Sequence, residues 1–225
     1  MKNIIITGTS RGIGLELCKK LAKEDHQILA ISRRSHEDLI QMLNVKQLNV
    51  DLSEETSFEK IKKYLNDNWS KVDIIIHNAG ALVNKPFADL LLSDFRHVFT
   101  TNVFAVAQLT QVALPHLQKG SHVVTISSIG GIQGSLKFPG LAAYSSSKGA
   151  VITLSELLAE EYKEQGISFN VLALGAVQTE MLEEAFPGYQ APISAADMAS
   201  YIADFALNGN KVYNGKVLQV SSSNP

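Results

Sequence analysis

Short runs of β-branched and other apolar residues alternate along this chain with longer stretches in which apolar positions recur at helical spacing. Asn3–Thr7, Gln27–Ser32, Val45–Val50, Val72–His77, His122–Ser127, Ser168–Ala173 and Lys216–Val220 read as strands. Helical patterns run over about Ile13–Lys23, Glu37–Leu43, Ser53–Asn68, Ser93–Leu117, Tyr144–Gln165 and Ala195–Leu207. Ile4-Ile5-Ile6 and Ile74-Ile75-Ile76 are apolar at consecutive positions, which suits strands covered on both sides. Seven strands alternating with helices predict an α/β protein: a parallel sheet with helices on both faces. No internal repeat or long linker divides the pattern, so residues 1–225 are expected to form a single domain.

Composition narrows the setting. Twenty-two acidic and 20 basic residues leave a formal net charge of −2, and the basic residues are scattered. Neither nucleic acid nor an acidic membrane is an expected partner. Cys18 is the only cysteine and falls at a core-like helical position, so it reads as a small apolar residue in a protein of the reducing cytoplasm. No apolar run approaches the roughly 20 residues that span a bilayer. The short run Met1–Ile6 leads straight into Thr7-Gly8 and lacks the features of a signal peptide.

Two stretches carry candidate chemistry. Between the first strand and helix lies Thr7-Gly8-Thr9-Ser10-Arg11-Gly12-Ile13-Gly14, spaced G-x-x-x-G-x-G. Glycines in such a turn let a pyrophosphate approach main-chain N–H groups at a helix N-terminus. Further on, Tyr144 and Lys148 are four apart and share one helical face. A phenol beside a fixed ammonium is a usable acid or base near neutral pH. His77 reads as a packed strand residue, with no second ligand at metal spacing, so no metal is expected.

With these motifs the sequence resembles the short-chain dehydrogenase/reductase family. The first loop matches its T-G-x-x-x-G-I-G motif, Asn78-Ala79-Gly80 its N-A-G motif, Asn102 its active-site asparagine, and Tyr144/Lys148 its Y-x-x-x-K pair. The matches follow family order across almost the whole chain. The resemblance implies a doubly wound Rossmann fold with a seven-stranded, mainly parallel sheet. It also implies hydride transfer between a nicotinamide cofactor and a carbonyl/alcohol pair. Tyr144 would be the general acid in reduction, and Lys148 would favour the phenolate and bond the nicotinamide ribose. Ser128 would bond the substrate oxygen, and Asn102 would hold a water linking Lys148 to solvent. Ser127 is the rival to Ser128, but alternation along a strand turns it to the other side.

The cofactor positions implied are Gly8, Ser10, Arg11, Gly12, Ile13 and Gly14 in the loop, then Ser32 and Arg33. Asp51 and Leu52 would meet the adenine, although Asp51 also reads as a cap for the helix near Ser53. Asn78 is expected mainly to brace strands, with Ala79 and Gly80 allowing close approach to the cofactor. Gly175, Val177 and Thr179 would meet the nicotinamide, although Leu174 stands where the family usually has proline. The substrate loop at 180–192 is short; Met181, Leu182, Phe186 and Tyr189 there would line a lid or cover the core.

The end of the second strand bears on cofactor choice. Ser32, 18 residues after Gly14, stands where NAD-preferring members carry an acid, and Arg33 follows. With Arg11 in the loop, this favours the 2′-phosphate of NADP(H). The expected protein is an NADP(H)-dependent ketone or aldehyde reductase. The alternatives are an NAD(H)-dependent alcohol dehydrogenase of the same family and a non-catalytic nucleotide-binding regulator, whose usual mark is loss of the tyrosine or lysine. A homodimer or homotetramer is implied by resemblance, through the two long helices. The interval from Ser128 to Tyr144 is longer than in many relatives, so the loop containing Lys137-Phe138-Pro139 should overhang the substrate entrance.

Overall fold

The computed structural model describes residues 1–221. Its first half contains β1 (Asn3–Thr7), α1 (Gly12–Lys23), β2 (Gln27–Ser32), the one-turn α2 (Glu37–Ile40), β3 (Val45–Asn49), α3 (Glu55–Asn68) and β4 (Val72–His77). There follow α4 (Leu92–Phe99), α5 (Ala105–Ala113), β5 (Leu117–Ser128), α6 (Ala142–Glu161) and β6 (Ser168–Leu174). The chain ends through β7 (Val177–Gln178), α7 (Glu180–Ala185), β8 (Ile193–Ser194), α8 (Ala195–Asn208) and β9 (Val217–Val220). Seven strands form one sheet in the order β3-β2-β1-β4-β5-β6-β9. Every pairing in it is parallel, so the fold is the doubly wound Rossmann arrangement.

The consecutive isoleucines divide between two cores, as a period of two requires. Ile4, Ile6, Ile74 and Ile76 face a cluster with Leu17, Cys18 and Leu21 of α1 and Met198, Ile202 and Phe205 of α8. Ile5 and Ile75 face the opposite cluster, with Phe58, Ile61 and Leu65 of α3 and Leu109 of α5. Burying each such side chain contributes about 1.5–3 kcal/mol, which explains why this core tolerates no polar alternation. Strand order reverses between β1 and β4, and the crevice beyond their C-terminal ends is where ligands of such sheets bind.

Several boundaries differ from those expected. The stretch Ser93–Leu117 is not one helix: α4 passes into a π-helical turn at Thr100–Phe104, then α5, then a 3₁₀ turn at Leu114–His116. Pro115, lacking an N–H, sits in that last turn where the α-helix stops. Leu117 therefore opens β5 instead of closing a helix. The expected helix Glu37–Leu43 is a single turn, α3 starts two residues late, and α6 begins at Ala142 so that Tyr144 is its third residue. Leu174 extends β6, pairing with Ser128 on one side and Val220 on the other; proline could not supply the N–H there. Among the described residues, no helix is long and apolar enough to cross a membrane.

Candidate active site

The site is assembled at the C-terminal ends of β1, β4, β5 and β6. A Cβ at Gly14 would lie 2.2 Å from the Gly8 carbonyl oxygen, so only glycine lets α1 start this close to the turn leaving β1. Arg11, just before α1, is extended and its side chain caps nothing, and the first turn holds no acidic residue. The N-terminus of α1 thus has no side-chain cap among the described residues, as an anion cradle requires. Asn78 braces this turn: its amide donates to the carbonyls of Thr7 (2.9 Å) and Gly8 (3.3 Å). Thr7 Oγ1 in turn accepts the N–H groups of Asn78 and Ala79, tying β1 to β4.

Arg11 does not stand free for a phosphate. Its guanidinium forks onto both carboxylate oxygens of Glu184 in α7, with one contact at 2.9 Å. Thr179 and Glu180 also approach the loop, their nearest atoms 3.5 and 3.4 Å from where a Gly12 Cβ would sit. Thr179 caps α7, its hydroxyl oxygen accepting the Leu182 N–H at 3.3 Å. The mouth of the glycine loop therefore faces an acidic helix. Met181, Leu182 and Phe186 are half-buried and Tyr189 is exposed, so none covers the core.

At the end of β2, the Ser32 hydroxyl donates to the Arg34 carbonyl at 2.7 Å, while Arg33 is exposed. The Asp51 carboxylate accepts the Ser53 N–H and hydroxyl at 2.9 and 2.8 Å. Those bonds, with Arg33 contributing, hold its carboxyl below the ordinary range. Asp51 closes the turn ahead of α3 and does not cap the helix itself, whose N-cap position is Glu54. Ser10 and Ile13 are half-buried, and Leu52 and Val177 have their side chains in the core, leaving only their backbones for a cofactor. The Gly175 N–H is bound to Val220 O at 2.9 Å.

Tyr144, Ser128, Lys148 and Asn102 come together beyond β4 and β5. The Ser128 hydroxyl accepts the Gly130 N–H at 3.3 Å and stands beside the Tyr144 phenol, whose pKa it pulls slightly downward. Ser127 points the other way, donating to Lys148 O at 2.9 Å. Lys148 is 5% exposed; its ammonium donates to Ile126 O at 2.8 Å and lies 5.7 Å from the Tyr144 ring centre. Burial pushes the Tyr144 phenol up to about 12, against a smaller downward pull from Ser128. Burial also lowers Lys148 to about 8. In the chain alone desolvation therefore sets the direction of the phenol's shift, upward, where the sequence predicts a downward pull from Lys148.

Asn102 is 1% exposed, and its amide is heavily committed. It donates to Ala81 O and to Ser147 Oγ, both at 2.9 Å, and its oxygen accepts the Ala81 N–H at 2.7 Å. Both donors are used, so a relay water could meet this side chain only by donating to Oδ1. A Cβ at Gly80 would sit 3.6 Å from that oxygen and 3.8 Å from Lys148 Nζ, so Gly80 borders the same polar space.

Other contributors were missed in the sequence. Ser147 bridges Asn102 and the Tyr144 carbonyl, accepting from one and donating to the other at 2.6 Å. Its place directly before Lys148 was the available signal. The Ile126 carbonyl, a backbone group, had none. Thr9 Oγ1 in the glycine loop and Ser145 Oγ beside Tyr144 are buried, with no hydrogen-bond partner among the described residues.

A family model described as short chain dehydrogenase matches residues 2–190. The 3-amino-tetrahydro-pyrrolizinone reductase of Xenorhabdus hominickii is 31% identical over 186 residues, covering 81% of this chain and 64% of that protein. The chain spans 64% to 71% of the length of several such curated relatives. A short chain dehydrogenase from Burkholderia cenocepacia in complex with NADP superposes with a TM-score of 0.87 at 24% identity, covering 99% of this chain and 97% of that one. A 4-hydroxyisoleucine dehydrogenase complexed with NADH superposes with the same TM-score, 0.87, at 24% identity, covering 99% and 98% of the two chains. Likeness at this identity establishes the fold that they share.

Proposed function

The chain belongs to the short-chain dehydrogenase/reductase family, and we propose that it reduces a ketone or aldehyde to the alcohol using NADP(H). The observation that carries this is the grouping of Tyr144, with Ser128 beside its phenol, around the buried Lys148 ammonium, which lies 5.7 Å from the Tyr144 ring centre. The uncapped start of α1, Gly12 and the backbone around Ala79–Gly80 form a cradle that fits a dinucleotide, which supplies the hydride when bound. Gly8, Ser10, Ile13, Gly14, Asn78, Gly175, Val177 and Thr179 complete the proposed holding set. Most of them act through backbone or by shaping the turn. Ser32 and Arg33 would meet the ribose phosphate, and Asp51 with Leu52 the adenine.

In this reading a carbonyl oxygen is received between Ser128 and Tyr144. Ser128 donates to it, stabilising negative charge as it develops. Tyr144, held as the neutral phenol by burial, delivers the proton. The phenolate left behind is stabilised by the Lys148 ammonium, while Ser147 and Ala81 fix the Asn102 amide. A phenol kept protonated suits reduction better than oxidation, where a base is needed first.

The lack of an acid at the end of β2 and the exposed Arg33 support NADP(H). The NAD(H) reading is favoured by one observation, the commitment of Arg11 to Glu184. A single domain acting in the cytoplasm as a homodimer or homotetramer completes the proposal. Fluorescence titration with NADPH and NADH, with carbonyl reduction by Tyr144→Phe, tests it. Tighter NADPH binding is expected, retained in Tyr144→Phe while reduction falls by at least about 100-fold. Equal affinities would overturn the cofactor assignment, and undiminished reduction would overturn the role of Tyr144.

A further inference from the structure

We propose that Asn84 is a positioning residue that ties three segments around the substrate entrance into one wall. It rests on the reading that a carbonyl substrate enters between those segments. After β4 the chain passes Gly80, beside Asn102 and Lys148, and reaches Asn84 four residues later, followed by Lys85. The Asn84 side-chain amide donates to the carbonyl of Ala185, the last residue of α7, at 2.9 Å. Its oxygen faces Gly140, in the loop leading from Ser128 to Tyr144: a Cβ there would stand 2.1 Å from it. The next residue strengthens the junction, Lys85 N–H donating to Gly140 O at 3.0 Å. Lys85 is itself anchored, its ammonium meeting both Asp94 oxygens at 3.0 and 2.9 Å at the start of α4.

Gly140 is fitted to this contact twice over. Its φ of +86° lies where L side chains rarely go, and any side chain would displace Asn84. Asn84 is exposed and neither Gly140 nor Ala185 is buried, so hydrogen bonds more than packing set these segments' relative positions. Segments held in this way open at low cost. The N-terminal end of α7 is held separately by its cap Thr179, and Glu184, next to Ala185, is pinned to the glycine loop by Arg11. With Thr179 and Arg11 still in place, losing Asn84 should loosen α7 against Gly140 on the substrate side while the contacts to the glycine loop persist.

Two variants of the full chain test this. Asn84→Asp keeps the oxygen toward Gly140 but replaces the donor to Ala185 with an acceptor, and Asn84→Ala removes both. Hydrogen exchange of the cofactor-free protein should rise about tenfold at amides of both 132–141 and 180–188 in Asn84→Ala, and chiefly at 180–188 in Asn84→Asp. With NADPH, and ethyl acetoacetate or benzaldehyde as probe, KM for the carbonyl should rise about fivefold in both variants, with kcat within about twofold. NADPH affinity should not move. Unchanged exchange in Asn84→Ala, an unchanged carbonyl KM, or an equal loss of NADPH affinity would overturn the proposal. If the unsubstituted protein reduces neither probe with NADPH, the carbonyl-reductase reading fails for them, and the exchange measurement still decides whether Asn84 holds the wall.

Discussion

Tyr144 and Lys148 show how one physical effect moves an acid and a base in opposite senses. Desolvation disfavours whichever form is charged, so it raises the phenol to about 12 and lowers the ammonium to about 8. The proposed reduction needs the phenol protonated and Lys148 cationic, and of the two Lys148 loses its proton first. kcat/KM for NADPH-driven reduction should accordingly fall above about pH 8, read from the pH profile; a plateau from pH 7 to 10 would contradict it. The pair itself was legible as a four-residue spacing, and strand alternation separated Ser128 from Ser127. The Ile126 carbonyl that holds Lys148 was not, because a backbone acceptor leaves no trace in residue identity. Nor did the sequence show that burial would push the phenol upward.

Among the elements, α7 departs furthest from expectation. Arg11 and Glu184 are 173 positions apart, and no local pattern announces their contact. A carboxylate that occupies the guanidinium fork competes with a ribose 2′-phosphate for the same donors. Glu184→Gln should therefore raise NADPH affinity about threefold and leave NADH affinity unchanged, measured by fluorescence titration. An equal change for both cofactors would mean that Arg11 takes no part in reading the phosphate. The helices and strands packed on the sheet were legible because apolar periodicity reports burial directly. The π turn was not: Thr100–Phe104 has the composition of an ordinary helix, and the long-range bonds of Asn102 to Ala81 and Ser147 accompany its distortion.

At the scale of the molecule, two neutral histidines make the fold sensitive to acid. His77 meets Thr110 Oγ1 at 3.0 Å, and burial lowers its pKa to about 3. His122 is lowered to about 4; its Nδ1–H donates to Ala206 O at 2.9 Å and its Nε2 accepts from Asn170 at 3.0 Å. Protonating Nε2 would turn one donor against another. The unfolded chain titrates these rings near 6.5, so between about 6.5 and 4 it binds more protons than the folded chain. Their contribution to stability is complete above about pH 6.5 and is lost as the pH falls, on the order of 1 kcal/mol per pH unit for each ring. Urea midpoints at pH 7 and pH 5 should show this. His122→Gln, less stable throughout, should show a shallower dependence, and equal slopes would exclude His122 as a cause.

The π turn that carries Asn102 also separates two kinds of genetic change. It holds one residue more than a continuous α-helix would need over the same span. Replacing a neighbouring side chain leaves that count intact, and the surrounding sheet and helices can absorb the difference. Deleting one residue from Thr100–Phe104 would let the helix close into regular hydrogen bonding, a locally favourable repair. The same repair would rotate everything on one side of it by about 100° relative to the other, and Asn102 could no longer meet Ala81 and Ser147 together. In this segment the length of the chain is under tighter constraint than its spelling.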